Sequence, residues 1–111
     1  MRFGDDDAGV TVALEDGVAQ VRLDRPAKLN ALSQAMFEGI AAAIDHLAAL
    51  DDLRCVVLSG EGRSFCVGID LAVLAGGGPG PLGPRSHGEA NALQYCATGW
   101  RELAAPVIAA I

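Results

Sequence analysis

The stretch Cys55-Val-Val-Leu-Ser-Gly-Glu-Gly-Arg-Ser-Phe-Cys-Val-Gly-Ile-Asp-Leu71 decides how this chain is read. Its first four residues form a continuous apolar run bounded by Arg54 and Ser59-Gly60, the pattern of a short strand buried on both faces. A glycine-punctuated turn follows. Glycines at 60, 62 and 68 let backbone approach a ligand closely, and Asp70 can cap a helix beginning at Leu71-Ala-Val-Leu74. Amides near a helix N-terminus point outward with partial positive charge, so such a place can hold an oxyanion. A glycine-rich strand-to-helix turn is nonetheless more often just a turn.

Upstream, Val10, Val12 and Leu14 alternate with Thr11, Ala13 and Glu15. Glu15-Asp16-Gly17 supplies turn chemistry, and Ala19, Val21 and Leu23 then alternate with Gln20, Arg22 and Asp24, which predicts a β-hairpin with one buried face. Asp24-Arg-Pro26 ends it, because proline removes a ladder donor and restricts the residue before it. Ser33 can cap a helix, with Leu32 and Phe37 at hydrophobic-staple spacing. Ile40, Ile44 and Leu47 give that helix one apolar stripe to about Leu50, where Asp51-Asp52 break the pattern. His46 lies beside the stripe with no second ligand in sequence, so a surface or partly buried histidine is expected. Hairpin, helix and buried strand together indicate an α/β layering.

Downstream, residues 76–88 mix glycine and proline too densely for regular structure and are expected to form a surface loop. Gly78-Pro-Gly-Pro-Leu-Gly83 satisfies GxGxxG formally, but its two prolines and the lack of a preceding strand make it a false dinucleotide match. A second helix is predicted between Glu89 and Leu103, then a buried strand in Pro106-Val-Ile-Ala-Ala-Ile111. No turn or polar tail follows that strand, and the expectation is one incomplete domain over residues 1–111.

Composition narrows function by exclusion. Fourteen acidic residues against eight basic ones give a net charge of -6, which lacks the footprint for nucleic acid. No apolar run approaches the roughly 18 residues that span a bilayer, and the acidic Met1-Arg-Phe-Gly-Asp-Asp-Asp7 is unlike a signal peptide. No membrane association and a cytoplasmic location are therefore expected. Cys55, Cys66 and Cys96 are far apart, without metal spacing, so reduced and mostly buried thiols and no metal site are expected. Cys66 has no adjacent base in sequence that would make it a nucleophile.

Three segments in order resemble one known family. Asp24-Arg-Pro-Ala-Lys-Leu-Asn-Ala-Leu-Ser33 is similar to the signature that follows the first hairpin of the crotonase (enoyl-CoA hydratase/isomerase) family. Gly62-Arg-Ser-Phe-Cys-Val-Gly-Ile-Asp-Leu71 follows at a similar spacing, and Pro106-Val-Ile-Ala-Ala-Ile111 resembles the strand that leads into the family's glycine-rich turn.

This resemblance implies the N-terminal part of a crotonase-like spiral of ββα units. It implies binding of an acyl-CoA thioester whose carbonyl is held by two backbone amides, the first being the N–H of Ile69. Gly68 would supply the tight backbone, and Asp70 would hold the turn or cap the next helix. Arg25, Lys28 and Leu29 on one loop, with Cys66, Val67 and Asp70 on the other, would contact CoA. The second amide and the acid–base glutamates are expected in segments after the final strand. Hydratase is the family's default activity. Dienoyl-CoA or enoyl-CoA isomerase is the alternative, favoured locally by Gly68-Ile-Asp-Leu71, and a noncatalytic acyl-CoA-binding relative is another. No cofactor beyond the CoA of the substrate is implied, and a homotrimer or a pair of trimers is the expected assembly.

Overall fold

Asp16 and Gly17 take positive φ angles of 52° and 81°, the mirror-image turn whose twist matches that of the strands it joins. It closes the predicted hairpin of β2 (Gly9–Glu15) and β3 (Val18–Asp24), paired antiparallel from Glu15–Val18 to Gly9–Asp24. The computed structural model from which this geometry is taken describes residues 1–71, 73 and 92–111. The glycine/proline stretch 76–88 and the formal GxGxxG match lie outside the described residues.

Ser33 caps α1 (Gln34–Ala48) as its sequence predicts, its Oγ accepting from the Met36 N–H at 3.2 Å. The chain then enters β4 (Cys55–Gly60), which runs parallel to β3, and α1 forms the crossover that a parallel pair requires. After α2 (Ala92–Thr98) and a 3₁₀ turn at Gly99–Glu102, β5 (Val107–Ala109) pairs parallel to β4. A three-residue β1 (Arg2–Gly4) pairs antiparallel with β2, giving a single sheet in the order β1-β2-β3-β4-β5.

One face of this sheet carries the core. Val10, Val12, Val21, Val56 and Leu58 meet Met36, Ile40, Ile44 and Leu47 of α1, closed at one side by Tyr95, Trp100 and Leu103. Each fully buried Val, Ile or Leu contributes about 1.5–3 kcal/mol through water release, so this face holds the helices to the sheet. His46 sits half-buried in the last turn of α1, its ring 5.6 Å from that of Phe3 in β1.

Four expectations need correction. In β4 only Val56 and Leu58 are buried, while Cys55 and Val57 are half-buried on the opposite face, where no helix lies among the described elements. The last strand is three residues long and mostly exposed, with Ile108 at 56%, because among the described residues β5 ends the sheet order and has one neighbour. The second helix tightens into a 3₁₀ turn from Gly99, which keeps Trp100 and Leu103 in the core. The three cysteines are free, as expected, but half-buried rather than buried.

Candidate functional site

The loop after β3 is shaped by Pro26, whose missing N–H and fixed φ open a 3₁₀ turn at Pro26–Lys28. Leu29 and Asn30 then take left-handed backbone, φ 53° and 58°, a conformation asparagine tolerates far better than leucine. The reversal drives Asn30 fully inside the protein, and every polar atom of its side chain is used. Its Oδ1 accepts from the Arg25 N–H at 2.8 Å. Its Nδ2 donates to the carbonyls of Glu61, Ser64 and Phe65 at 3.0, 2.8 and 3.1 Å. Asn30 therefore clamps the glycine-rich loop after β4 onto the loop after β3. Gly60 lies against this clamp: a Cβ there would stand 2.7 Å from Asn30 Nδ2 and 2.5 Å from the Phe65 carbonyl, so no side chain fits.

Past the clamp the two loops run side by side. Val67 N–H donates to the Leu29 carbonyl at 3.2 Å, Leu32 N–H to the Gly68 carbonyl at 2.8 Å and Asp70 N–H to the Leu32 carbonyl at 3.0 Å. This makes a one-rung parallel bridge between Leu32 and Ile69. In a parallel rung the residue flanked by both bonds directs its own N–H to the other side, so the Ile69 N–H faces away from Leu32. Among the described residues it has no backbone partner. Gly68 makes the approach possible with φ 108°, a value that excludes ordinary side chains although space for a Cβ is open.

The remaining tie is ionic. Arg25 Nη1 donates to Asp70 Oδ2 at 2.5 Å and to the Ala31 carbonyl at 3.0 Å, with both side chains less than one-fifth exposed. Of the expected helix after Asp70 the described residues are Leu71 and Val73, both helical, with the Val73 N–H reaching the Asp70 carbonyl at 3.0 Å. The Asp70 carboxylate itself is turned to Arg25. Tyr95 and Cys96 sit on the neighbouring α2. Burial, then the hydrogen bond and charge of Asp45, push the Tyr95 phenol up to about 12, and burial alone pushes the Cys96 thiol up to about 12. Cys96 accordingly stays a neutral thiol, donating to the Phe37 carbonyl.

The structure thus brings Arg25, Leu29, Val67, Gly68, Ile69 and Asp70 into one double loop. Cys66 belongs to it as well: its Sγ accepts from the Gly68 N–H at 3.4 Å, and its side chain lines an apolar cavity of about 230 Å³ with Phe65, Leu32, Cys96 and Trp100. Lys28 stands exposed on the 3₁₀ turn, and among the described residues it makes no ion pair. No three His, Cys, Asp or Glu groups cluster as metal ligands among the described residues. Sequence reasoning missed Asn30. Its one available signal was an amide-bearing residue two positions before an apolar helix entry, in a turn that needs left-handed backbone.

The enoyl-CoA hydratase/isomerase family model matches residues 13–111. A 4-chlorobenzoyl coenzyme A dehalogenase of Arthrobacter sp. is 36% identical over 93 residues, 80% of this chain and 32% of that protein. A probable enoyl-CoA hydratase of Rhodobacter capsulatus is 43% identical over 58 residues, 52% of this chain and 22% of that protein. A crystal structure of an enoyl-CoA hydratase/isomerase family member superposes with a TM-score of 0.73 at 33% identity, covering 90% of this chain and 38% of that one. These matches span only about a fifth to two-fifths of the relatives' length. The double loop and strands β3 to β5 lie inside the matched region, and the chain belongs to the enoyl-CoA hydratase/isomerase, or crotonase, family.

Proposed function

We propose that the protein binds an acyl-CoA thioester and stabilises its enolate, the Ile69 N–H being one of two amide donors to the thioester oxygen. The observation that supports this reading is the outward Ile69 N–H on a loop fixed by the Leu32 rung and the Asn30 clamp. A donor already aimed at the oxygen that gains charge costs no reorganisation when the charge develops, and such donors lower barriers by about 3–4 kcal/mol each. On this reading Gly68 supplies the backbone turn. Cys66, Val67, Leu29 and Lys28 approach the CoA, and the reaction needs no cofactor beyond the CoA of the substrate.

Hydration is the leading reaction. Water adds at C3 of a 2-enoyl thioester while a proton reaches C2, and the negative charge resides meanwhile on the thioester oxygen. Isomerisation is the second, with a proton removed and returned at different carbons of the same enolate. The second amide and the proton-transferring carboxylates are expected outside these 111 residues, so assay separates the two. The Arthrobacter relative, named for a chlorobenzoyl thioester, adds an aryl-CoA arm to that assay. A cytoplasmic trimer or pair of trimers is part of the proposal.

The test uses the complete protein with crotonyl-CoA, a dienoyl-CoA and 4-chlorobenzoyl-CoA. Loss of the conjugated enoyl absorbance with crotonyl-CoA is the expected result. Turnover of the dienoyl thioester alone assigns the isomerase, and binding of acetoacetyl-CoA without turnover assigns a noncatalytic relative. Absence of any heat of binding in calorimetry overturns the whole reading.

A further inference from the structure

We propose that Arg25 and Asp70 are positioning residues whose ion pair sets the direction of the Ile69 N–H, and that Arg25 does not serve as a CoA phosphate contact. The inference rests on the oxyanion reading above and adds to it the device that aims the donor.

The segment around Ile69 is poorly held by packing. Val67, Ile69 and Leu71 are 58%, 38% and 79% exposed, and among the described residues nothing lies within 4 Å of where a Gly68 Cβ would stand. Its position depends on polar ties. Two backbone bonds run to Leu32, one on each side of Ile69, and a third runs from Val67 to the Leu29 carbonyl, so the side before Ile69 is tied twice while the Asp70 side has one backbone bond about which it can rock. The Arg25 fork adds a second tie on that side. Nη1 reaches the Ala31 carbonyl on one strand of the double loop and the Asp70 carboxylate on the other, closing a ring through Ala31, Leu32 and Asp70. Such a ring removes the rocking freedom, and with it the freedom of the Ile69 N–H to swing off line.

Charge gives a second reason. The Asp70 carboxylate belongs to the residue after the proposed donor, where negative charge opposes charge developing on a thioester oxygen. Arg25 lies against it and offsets it. With both side chains more than four-fifths buried, solvent screens that charge only weakly. Deleting Arg25 alone should therefore harm more than deleting both charges. The phosphate role expected from the family resemblance is disfavoured because the guanidinium is drawn inward to Asp70 and Ala31.

The experiment compares Arg25→Met, Asp70→Asn and the double variant in the complete protein, with crotonyl-CoA carrying a carbon-13 thioester carbonyl. Infrared difference spectra report the hydrogen bond on that carbonyl, a signal that a merely structural role would leave unmoved in the folded fraction. In wild type the carbonyl band shifts to lower frequency on binding. Arg25→Met should lose most of that shift and about 10- to 100-fold in kcat, short of removing a donor outright, with KM within about twofold. Asp70→Asn, which keeps an oxygen acceptor for Arg25, should lose less, and the double variant should recover part of the Arg25→Met loss. The preference for CoA over 3′-dephospho-CoA should be unchanged in all three. If Arg25→Met does not fold, Asp70→Asn alone decides, through its band shift. A wild-type band and kcat in the variants overturns the proposal, as does loss of the dephospho-CoA discrimination in Arg25→Met. A wild-type protein that binds no acyl-CoA overturns the functional reading first, and is distinguished by its flat calorimetric trace.

Discussion

Asn30 does at residue scale what packing does elsewhere in the fold. Its amide reaches three carbonyls of another loop, and its oxygen holds the Arg25 N–H, all without exposure to water. Asn30→Ala leaves those groups unpaired in a dry place. Because each orphaned buried polar group costs about 1–3 kcal/mol and some of these regain water as the loop opens, a net loss of about 2–4 kcal/mol is expected in urea unfolding. Asn30→Asp should be worse at neutral pH, since it aims a carboxylate at three carbonyl oxygens. The gap to Asn30→Ala should narrow in acid as that carboxyl protonates. Equal stability of the two variants across pH would show that the side chain is not clamped. Gly60→Ala tests the same contact from the other side, because its Cβ would meet the Asn30 amide and the Phe65 carbonyl.

At the scale of elements, what the sequence made legible is what local pattern determines. The Asp16-Gly17 hairpin, the Ser33 cap and the stripe of α1 rest on residues a few positions apart, and all are present. β1 escaped because it is made by pairing with β2 rather than by any alternation of its own. The site was legible only as family likeness. Its ties join residues 31 to 45 positions apart, as in Asn30 to Glu61 and Arg25 to Asp70, and no local period records them. The contact between α1 and α2 was equally hidden, and it gives the fold an alkaline limit. Tyr95 donates to Asp45 at 2.7 Å and its phenol is raised from 10.0 to about 12, while the Cys96 thiol is raised from 9.0 to about 12. The folded state therefore holds both protons more tightly than the unfolded chain. That stability is complete below pH 9 to 10 and is lost as pH rises toward 12. Tyr95→Phe should lose about 1 kcal/mol at pH 7 and then decline less steeply in denaturant titrations above pH 10. The chain holds one tyrosine, so phenolate absorbance follows the same event directly.

For the whole molecule the two sheet edges differ in kind. β1 is short and defended: Arg2 donates to Asp24 at 2.6 Å and to the Asp5 and Asp6 carbonyls, putting charge along that edge. β5 is equally short but carries Val107, Ile108 and Ala109 with no charge, beside an open cavity of about 530 Å³ lined by Trp100, Pro106 and Val107. In register with Val57 and Gln20, Ile108 places an exposed apolar side chain on the sheet face away from α1. An uncharged edge beside apolar surface invites another polypeptide, and a net charge of -6 spread elsewhere does little to prevent it. A polypeptide of these 111 residues should therefore self-associate as its concentration rises. Ile108→Lys sets a charge at the middle of β5 and should shift sedimentation toward the monomer. Because Ile108 is already 56% exposed, folding stability should change by no more than about 0.5 kcal/mol. Wild-type chains that stay monomeric at every concentration would remove β5 as the associating edge. A lysine variant that unfolds would instead show that Ile108 is held by packing the exposed strand does not display.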